Sequence, residues 1–367
     1  MYTPKKFIKF VASVFAVSVV SFAAVAAVAT EEVSFDRVEL IIPYGPGGGS
    51  SLHGRLYAMA LEKTLPGNPT VLIRNIPGAG SVRGINEFHN VAKPDGKTIA
   101  SIASGTFFSY IVDNPVVRYP LTEFNSFLSS PFGVIIYARK DQAGGLTGNA
   151  VENIKALQKT PPVYGGQDAT SSDMPALLAM HMLNIKPRTL FGVSNNEARG
   201  AFERGELTLN YDNMASWETG VEPLIKEGTA VPLFTFGFVN ENGEVIRDPV
   251  APLIPTFNEL YEAVHGKPLA GIEKETWMAM LAIRVMAAKA FVLPKGTPQH
   301  IIDVYSQAAR EADAAIQQTS QGKAILGPYP QTFGKEAQLT MLAAAKFTDE
   351  QKQYLRDWAR EVYDVQF

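Results

Sequence analysis

The chain contains no cysteine. That excludes a disulfide framework, a lipid-anchored cysteine, a thiolate metal site and a cysteine nucleophile. Histidine is scarce too: the five residues, His53, His89, His181, His265 and His300, are scattered, with no pair at metal-ligand spacing. Neither a Gly-x-Ser-x-Gly elbow nor a Gly-x4-Gly-Lys-Ser/Thr phosphate loop is present, so two common designs for hydrolysis are missing. Positive charge is not in excess, because 33 Lys and Arg face 36 Asp and Glu, and this argues against a nucleic-acid partner. The late apolar segment from Trp277 to Ala288 carries Arg284 and is followed by Lys289, which argues against a membrane span there.

What is present begins with a leader. Lys5, Lys6 and Lys9 precede an uncharged stretch from Phe10 to Ala29 that ends in small residues before Thr30. This is the pattern of a secretory signal peptide over residues 1–29, with an uncleaved anchor as the alternative. Its removal takes away three lysines and no acid, moving the formal charge from −3 to −6. About 340 residues remain, enough for two ordinary domains with separate cores.

Apolar runs and helical patterns alternate from the start: Val38 to Tyr44, Leu52 to Leu65, Thr70 to Ile73, Val82 to Asn90, Thr98 to Ile102. This order, β, α, β, α, β, predicts a parallel sheet covered by helices, with ligands bound beyond the carboxyl ends of the strands. After Ser129-Ser130-Pro131 the alternation resumes. Strands are expected near Val134 to Tyr137, Val163-Tyr164, Thr189 to Phe191 and Leu207 to Tyr211, with helices between them and a closing strand at Val231 to Phe238. The chain is therefore expected to leave a first lobe, 30–130, build a second, 131–239, and return to the first over 240–367.

The strongest local signal is Ile41-Ile42-Pro43-Tyr44-Gly45-Pro46-Gly47-Gly48-Gly49-Ser50-Ser51, a strand entering a glycine loop and then a helix. Glycines let the backbone approach a ligand closely, and a helix start offers N–H groups and the positive end of the dipole to an anion. Ser50 or Ser51 is expected to cap that helix. Val71-Leu72-Ile73 leads in the same way through Pro77 to Gly78-Ala79-Gly80-Ser81 and a second helix. A carboxylate fits between two such loops on backbone donors alone, without a buried Lys or Arg. Arg55, Arg74 and Arg83 read as surface or packing ion pairs. Thr170, Ser171 and Ser172 either cap the helix that follows them or face a second carboxylate. Tyr44, Phe107, Phe108 and Phe191 are either cavity wall or core, and His53 reads as a partly exposed helix residue.

Three segments, Pro-Tyr-Gly-Pro-Gly-Gly-Gly (43–49), Pro-Gly-Ala-Gly-Ser (77–81) and Lys-Pro-Asp-Gly-Lys-Thr-Ile (93–99), resemble those of the tripartite tricarboxylate transporter receptor family, the Bug proteins. Weaker matches follow in order at 163–166, 205–213 and 294–298, across nearly the whole mature chain. The resemblance implies an α/β type II periplasmic binding-protein fold: two Rossmann-like lobes with mixed sheets and a ligand cleft between them. It implies capture of a small di- or tricarboxylate or aromatic acid by a periplasmic monomer serving integral membrane transporter subunits, with no reaction, no cofactor and no metal. Carried over to this sequence, Gly47, Gly48, Gly49, Ser50 and Ser51 match the first loop, and Ala79, Gly80, Ser81 and Val82 the second. Gln167 to Ser172 and Asp212 stand where the family meets the far end of its ligand, and Tyr44 beside the first loop. Two departures bear on the ligand. Ser51 replaces a frequent acid, which disfavours a cationic amino group, and the segment Gly165 to Ser172 differs from the usual pattern.

Two other classes fit parts of the sequence. A sensing protein docking on a receptor kinase would need the same lobe closure and differ only on outer surfaces. A dinucleotide-dependent oxidoreductase is suggested by Gly78-x-Gly80-x-x-x-Gly84 with Asp95 further on, but the third glycine is displaced and Pro77 interrupts the turn.

Overall fold

The computed structural model describes residues 33–240 and 242–367; the leader expected at 1–29 lies outside the described residues. Two mixed sheets organise the chain. In the first, strands β1 (Arg37–Ile42), β2 (Thr70–Asn75) and β3 (Thr98–Ala103) run parallel, with β1 in the middle. Helix α1 (Gly49–Thr64) links β1 to β2, and α2 (Val82–Val91) links β2 to β3. The fully buried Val38, Leu40, Ile41 and Ile42 show why β1 is central, since a strand covered on both faces is apolar along its length.

Two elements here have no clear signal in the sequence. Helix α3 (Ser104–Ile111) follows β3 directly, and β4 is the serine-rich segment Asn125–Ser130. The chain then crosses to the second sheet, built from β5 (Val134–Arg139), β6 (Val163–Gly166), β7 (Arg188–Phe191), β8 (Leu209–Asn213) and β9 (Ala230–Thr235). Its strand order is β7-β6-β8-β5-β9, with β6 parallel to both β7 and β8 and the other pairs antiparallel. Helices α4 (Ala150–Lys159), α5 (Met174–Met182) and α6 (Asn195–Glu203) connect these strands. A small hairpin, β10 (Phe238–Val239) with β11 (Val245–Ile246), follows. After helices at Phe257–His265 and Gly271–Leu281, strand β12 (Lys289–Leu293) enters the first sheet between β3 and β4. The short β13 (Thr332–Phe333) closes that sheet beyond β4.

Register decides what meets at the carboxyl edge of the first sheet. There β1, β2 and β3 all end, and β12 runs the other way, so its first residue, Lys289, pairs with Ala103 and Ser130 at that edge. Buried apolar side chains form two continuous clusters, each drawing members from both sheets. This differs from the two separate cores expected, because Phe132, Phe236 and Trp277 fill the space between the halves. The helix Asp349–Tyr363 spans both halves as well: Arg356 pairs with Asp113, while Tyr363 packs on Phe191 at 5.7 Å between ring centres. The helix Phe257–His265 packs on β9 and α4.

Candidate functional site

A cavity of about 570 Å³ lies where the carboxyl edges of the two sheets face each other. Helix α1 begins in it. Its N-cap is Gly48, which brings no side chain to the first N–H groups, so neither Ser50 nor Ser51 is the cap that the sequence suggested. The amides of Ser51 and Leu52 already bond to the Gly48 carbonyl, at 2.9 and 3.0 Å. Gly48, Gly49 and Ser50 line the cavity, with Tyr44 behind them.

The second loop is bent more sharply. Gly78, Ala79, Gly80 and Ser81 have φ of 133°, 46°, 61° and 96°, a run in the left-handed region that includes two non-glycine residues. Such residues typically cost ~1–3 kcal/mol each and persist where surrounding structure enforces them, often at functional sites. Ala79 and Gly80 line the cavity, and α2 starts beyond them without a side-chain cap. A third helix start, unforeseen in the sequence, joins these two: Ser104 opens α3, again uncapped by a side chain, and lines the same space. Its hydroxyl donates to Ser172 of the second half at 3.3 Å.

The second half contributes Gln167 and Ser172 as the sequence suggested, and Ser194, Asn195, Asn196, Tyr211 and Asn213 in addition. Its approach depends on small residues opposite. A Cβ at Gly49 would stand 2.5 Å from the Asn213 side-chain amide, and one at Gly80 2.5 Å from Ser171 Cβ.

Several residues named from the sequence lie elsewhere. Gly47 (φ 87°) turns the chain ahead of the helix and is not part of the lining. Ser51 points into the sheet, where Asn75 Nδ2 donates to it at 3.4 Å. Ser81 is buried against Thr106, 3.0 Å away, and Val82 belongs to the apolar core. Thr170 and Ser171 are consumed locally, donating to Asp168 at 2.6 and 2.9 Å. Asp212 is paired with Arg199 and accepts from Tyr137 Oη at 2.9 Å, so its charge is already spent in the second half. Phe107 and Phe108 are core, and Phe191 is 41% exposed. Arg74 forms a surface ion pair with Glu39 at 2.6 Å, as the sequence suggested. His53 is fully buried rather than partly exposed: its Nε2 lies 2.8 Å from Ser130 Oγ, and burial, with Lys289 nearby, holds its pKa well below the usual histidine value. Asp95 precedes β3 and therefore lies at the opposite edge of the sheet from Gly78–Gly84, a strand length or ~17–20 Å away. No ribose held at the glycines reaches it.

The largest surprise is charge. Arg284 and Lys289 line the cavity, yet they are only 4% and 2% exposed, and among the described residues neither has an acidic partner. Arg284 sits in a π turn, Ala282–Met286, that ends the preceding helix; its guanidinium carbon is 5.1 Å from the centre of the Tyr211 ring, and its Nε has no hydrogen-bond partner. Lys289 Nζ is 4.2 Å from the centre of the Phe132 ring. Burial, and then the charge of Arg284, holds the Lys289 ammonium well below its ordinary pKa. Tyr44 is pushed up by burial; hydroxyls of Ser81, Thr106 and Ser172 are near its Oη, but none meets hydrogen-bond geometry. Glu197 is the one acid among the described lining residues, and its carboxylate is taken by Ser194 as a helix cap, which lowers its pKa. The sequence held a sign of the cationic pair: between Trp277 and Leu293 two cations stand in an apolar run with no acid.

Neither a protein-family model nor a curated protein matches the sequence. Solved structures do match. The periplasmic binding protein BugD is 18% identical, with a TM-score of 0.64 over 89% of this chain and 97% of that one. MatC of Rhodopseudomonas palustris, solved with malate, is 17% identical, with a TM-score of 0.59 over 89% and 98%. Another R. palustris protein, solved with adipate, is 17% identical, with a TM-score of 0.61 over 89% and 96%. This chain has the fold of the Bug and TctC type of periplasmic binding proteins.

Proposed function

We propose that this chain is a periplasmic solute-binding protein of the tripartite tricarboxylate type, capturing a small organic carboxylate and passing it to integral membrane transporter subunits. The observation that carries this reading is the convergence on one cavity of the starts of α1 and α3 and of the glycine turn that leads into α2, none of the three helices carrying a side-chain cap. Each helix start carries roughly half a positive charge, and a hydrogen bond to an ionised acceptor contributes ~1.5–3 kcal/mol. Two proteins of this fold were solved with carboxylates, malate and adipate.

The two sheet-centred halves act as lobes, 30–130 with 240–367 against 131–239, and the crossings after β4 and β9 act as hinges. Closure seats Asn213 on Gly49 and Ser171 on Gly80, excludes water from the carboxylate and strengthens the backbone donors. The closed outer surface is what the transporter subunits recognise, and the ligand leaves unchanged. The test is thermal unfolding of the protein lacking residues 1–29 with mono-, di- and tricarboxylates, aromatic acids, amino acids and NAD. A dose-dependent rise with a carboxylate class is expected, because ligands of the native state stabilise it by mass action. A rise with NAD or amino acids alone, and none with any carboxylate, overturns the reading.

A further inference from the structure

Arg284 and Lys289 need a reason to be where they are. An unpaired buried cation is expensive, at several kcal/mol even after relaxation, and proteins rarely tolerate one without a counter-charge. Here two stand in one cavity, and neither forms an ion pair among the described residues: Glu197, the one acid in the described lining, keeps its charge but turns its carboxylate to Ser194. A ligand anion supplies the counter-charge that neither side chain finds in the protein. A monocarboxylate is not enough. The helix starts at about +0.5 each, the Arg284 guanidinium and the ammonium form of Lys289 that a bound anion favours together exceed a single negative charge, and the surplus would stay buried in low dielectric.

We infer that Arg284 and Lys289 form a second anion subsite in the cavity, so that the ligand is a dianion: one carboxylate on the glycine loops and a further acidic group on these two side chains. This rests on the carboxylate-capture reading and narrows it, excluding monocarboxylates and neutral or zwitterionic amino acids as the preferred ligand. The arrangement is complementary in type. Arg284 lines the cavity, and its planar guanidinium offers a fork for two oxygens. Lys289 supplies a point charge whose pKa is depressed in the empty cavity. Tyr211 and Phe132, stacked against the two cations, keep them oriented without neutralising them.

The experiment compares dicarboxylates of four, five and six carbons with their half-amides, which keep length and shape and lose one charge. Calorimetric titration is carried out on the wild type, Arg284→Gln and Lys289→Met, with circular dichroism to establish that each variant is folded. The wild type is expected to prefer at least one dicarboxylate over its half-amide by roughly 10–100-fold. Each substitution should remove most of that preference while changing half-amide affinity by only a few-fold. Equal binding of acid and half-amide by the wild type, or a preference that survives both substitutions, overturns the subsite and leaves carboxylate capture standing. If no acid and no half-amide binds, while NAD or an amino acid does, both proposals fall together. Should Arg284→Gln fail to fold, Lys289→Met decides alone, since it removes a buried charge and replaces it with an apolar chain of similar length.

Discussion

One part of the cavity lining is neutral and made of backbone: Gly48, Gly49, Ala79, Gly80 and Ser104 at three helix starts. Another part is cationic and made of side chains, Arg284 and Lys289. Both attract anions, but they differ in what they cost the empty protein. The backbone donors belong to helices that exist anyway, and what the second loop adds is local strain. The cations lose hydration on folding and recover it only when a ligand arrives. The neutral part therefore supplies affinity that is insensitive to pH, whereas the cationic part supplies selectivity that depends on it.

The sharpest way to break the neutral part is to fill it. Gly48 has φ of −78° and open space around the position of a Cβ, so Gly48→Phe should leave the unfolding temperature nearly unchanged. Titration should then show a loss of carboxylate affinity of about a hundredfold or more. Gly80 would be a poor substitute, because its φ of 61° and the nearness of Ser171 would damage packing as well.

Next in size is the pH response of the cationic part. The charged and titratable groups facing Lys289 are Arg284 and His53, the latter held neutral by its depressed pKa. A bound dianion favours the ammonium form, so binding takes up a proton. Affinity should be flat below the depressed pKa of Lys289 in the empty site. It should then fall by up to about tenfold per pH unit as pH rises from that value towards the higher one in the complex. Calorimetry in buffers of different ionisation enthalpy counts the protons, and a count of zero would show that Lys289 does not titrate on binding.

Stability should respond in the opposite sense to affinity. Lys289→Met removes a buried unpaired charge and should stabilise the empty protein by about 1–3 kcal/mol near neutral pH, read by denaturant unfolding. In the wild type the folded pKa of Lys289 is below the unfolded one, so the unfolded chain binds more protons between the two values. Stability of the empty protein should accordingly rise with pH across that window, and the variant should lose this slope. Smallest of all, Ser50→Ala should change ligand affinity by less than about 0.5 kcal/mol if the backbone, not the hydroxyl, is the donor at α1.

The two parts also differ in how far they can be read from the sequence. The glycine loops are local: strand, turn and helix lie within a dozen residues, and the small residues mark the turn. Even there, the direction of a single side chain is not a local property. Successive residues of a helix are rotated by about 100°, so Ser50 lines the cavity while Ser51 points to Asn75. At Ala79 to Val82 the tight left-handed turn sends Ser81 and Val82 inward, away from the ligand space. Asp212 is taken by Arg199 of α6, the helix that leads into β8, and that pairing depends on which face of α6 packs on the strand. The cationic part needs information that no window of sequence holds. Lys289 reaches the cavity only because β12 runs antiparallel between β3 and β4, which places its first residue at the edge where the parallel strands end. The serine-rich β4 looks like a loop in sequence and becomes a strand through that pairing.

The π turn at Ala282–Met286 has a consequence for how such a site is gained or lost. A π turn is an α-helical turn with one extra residue. Deleting one codon there would restore an α-helical turn, removing the extra residue while the flanking segments keep their register. Arg284 sits in that turn, so the orientation of its guanidinium over Tyr211 is hostage to a single insertion or deletion. A lineage carrying this scaffold can thus acquire or discard a buried charge in one mutational step, leaving the glycine loops and both sheets untouched. Ligand charge preference and fold are then free to diverge at different rates.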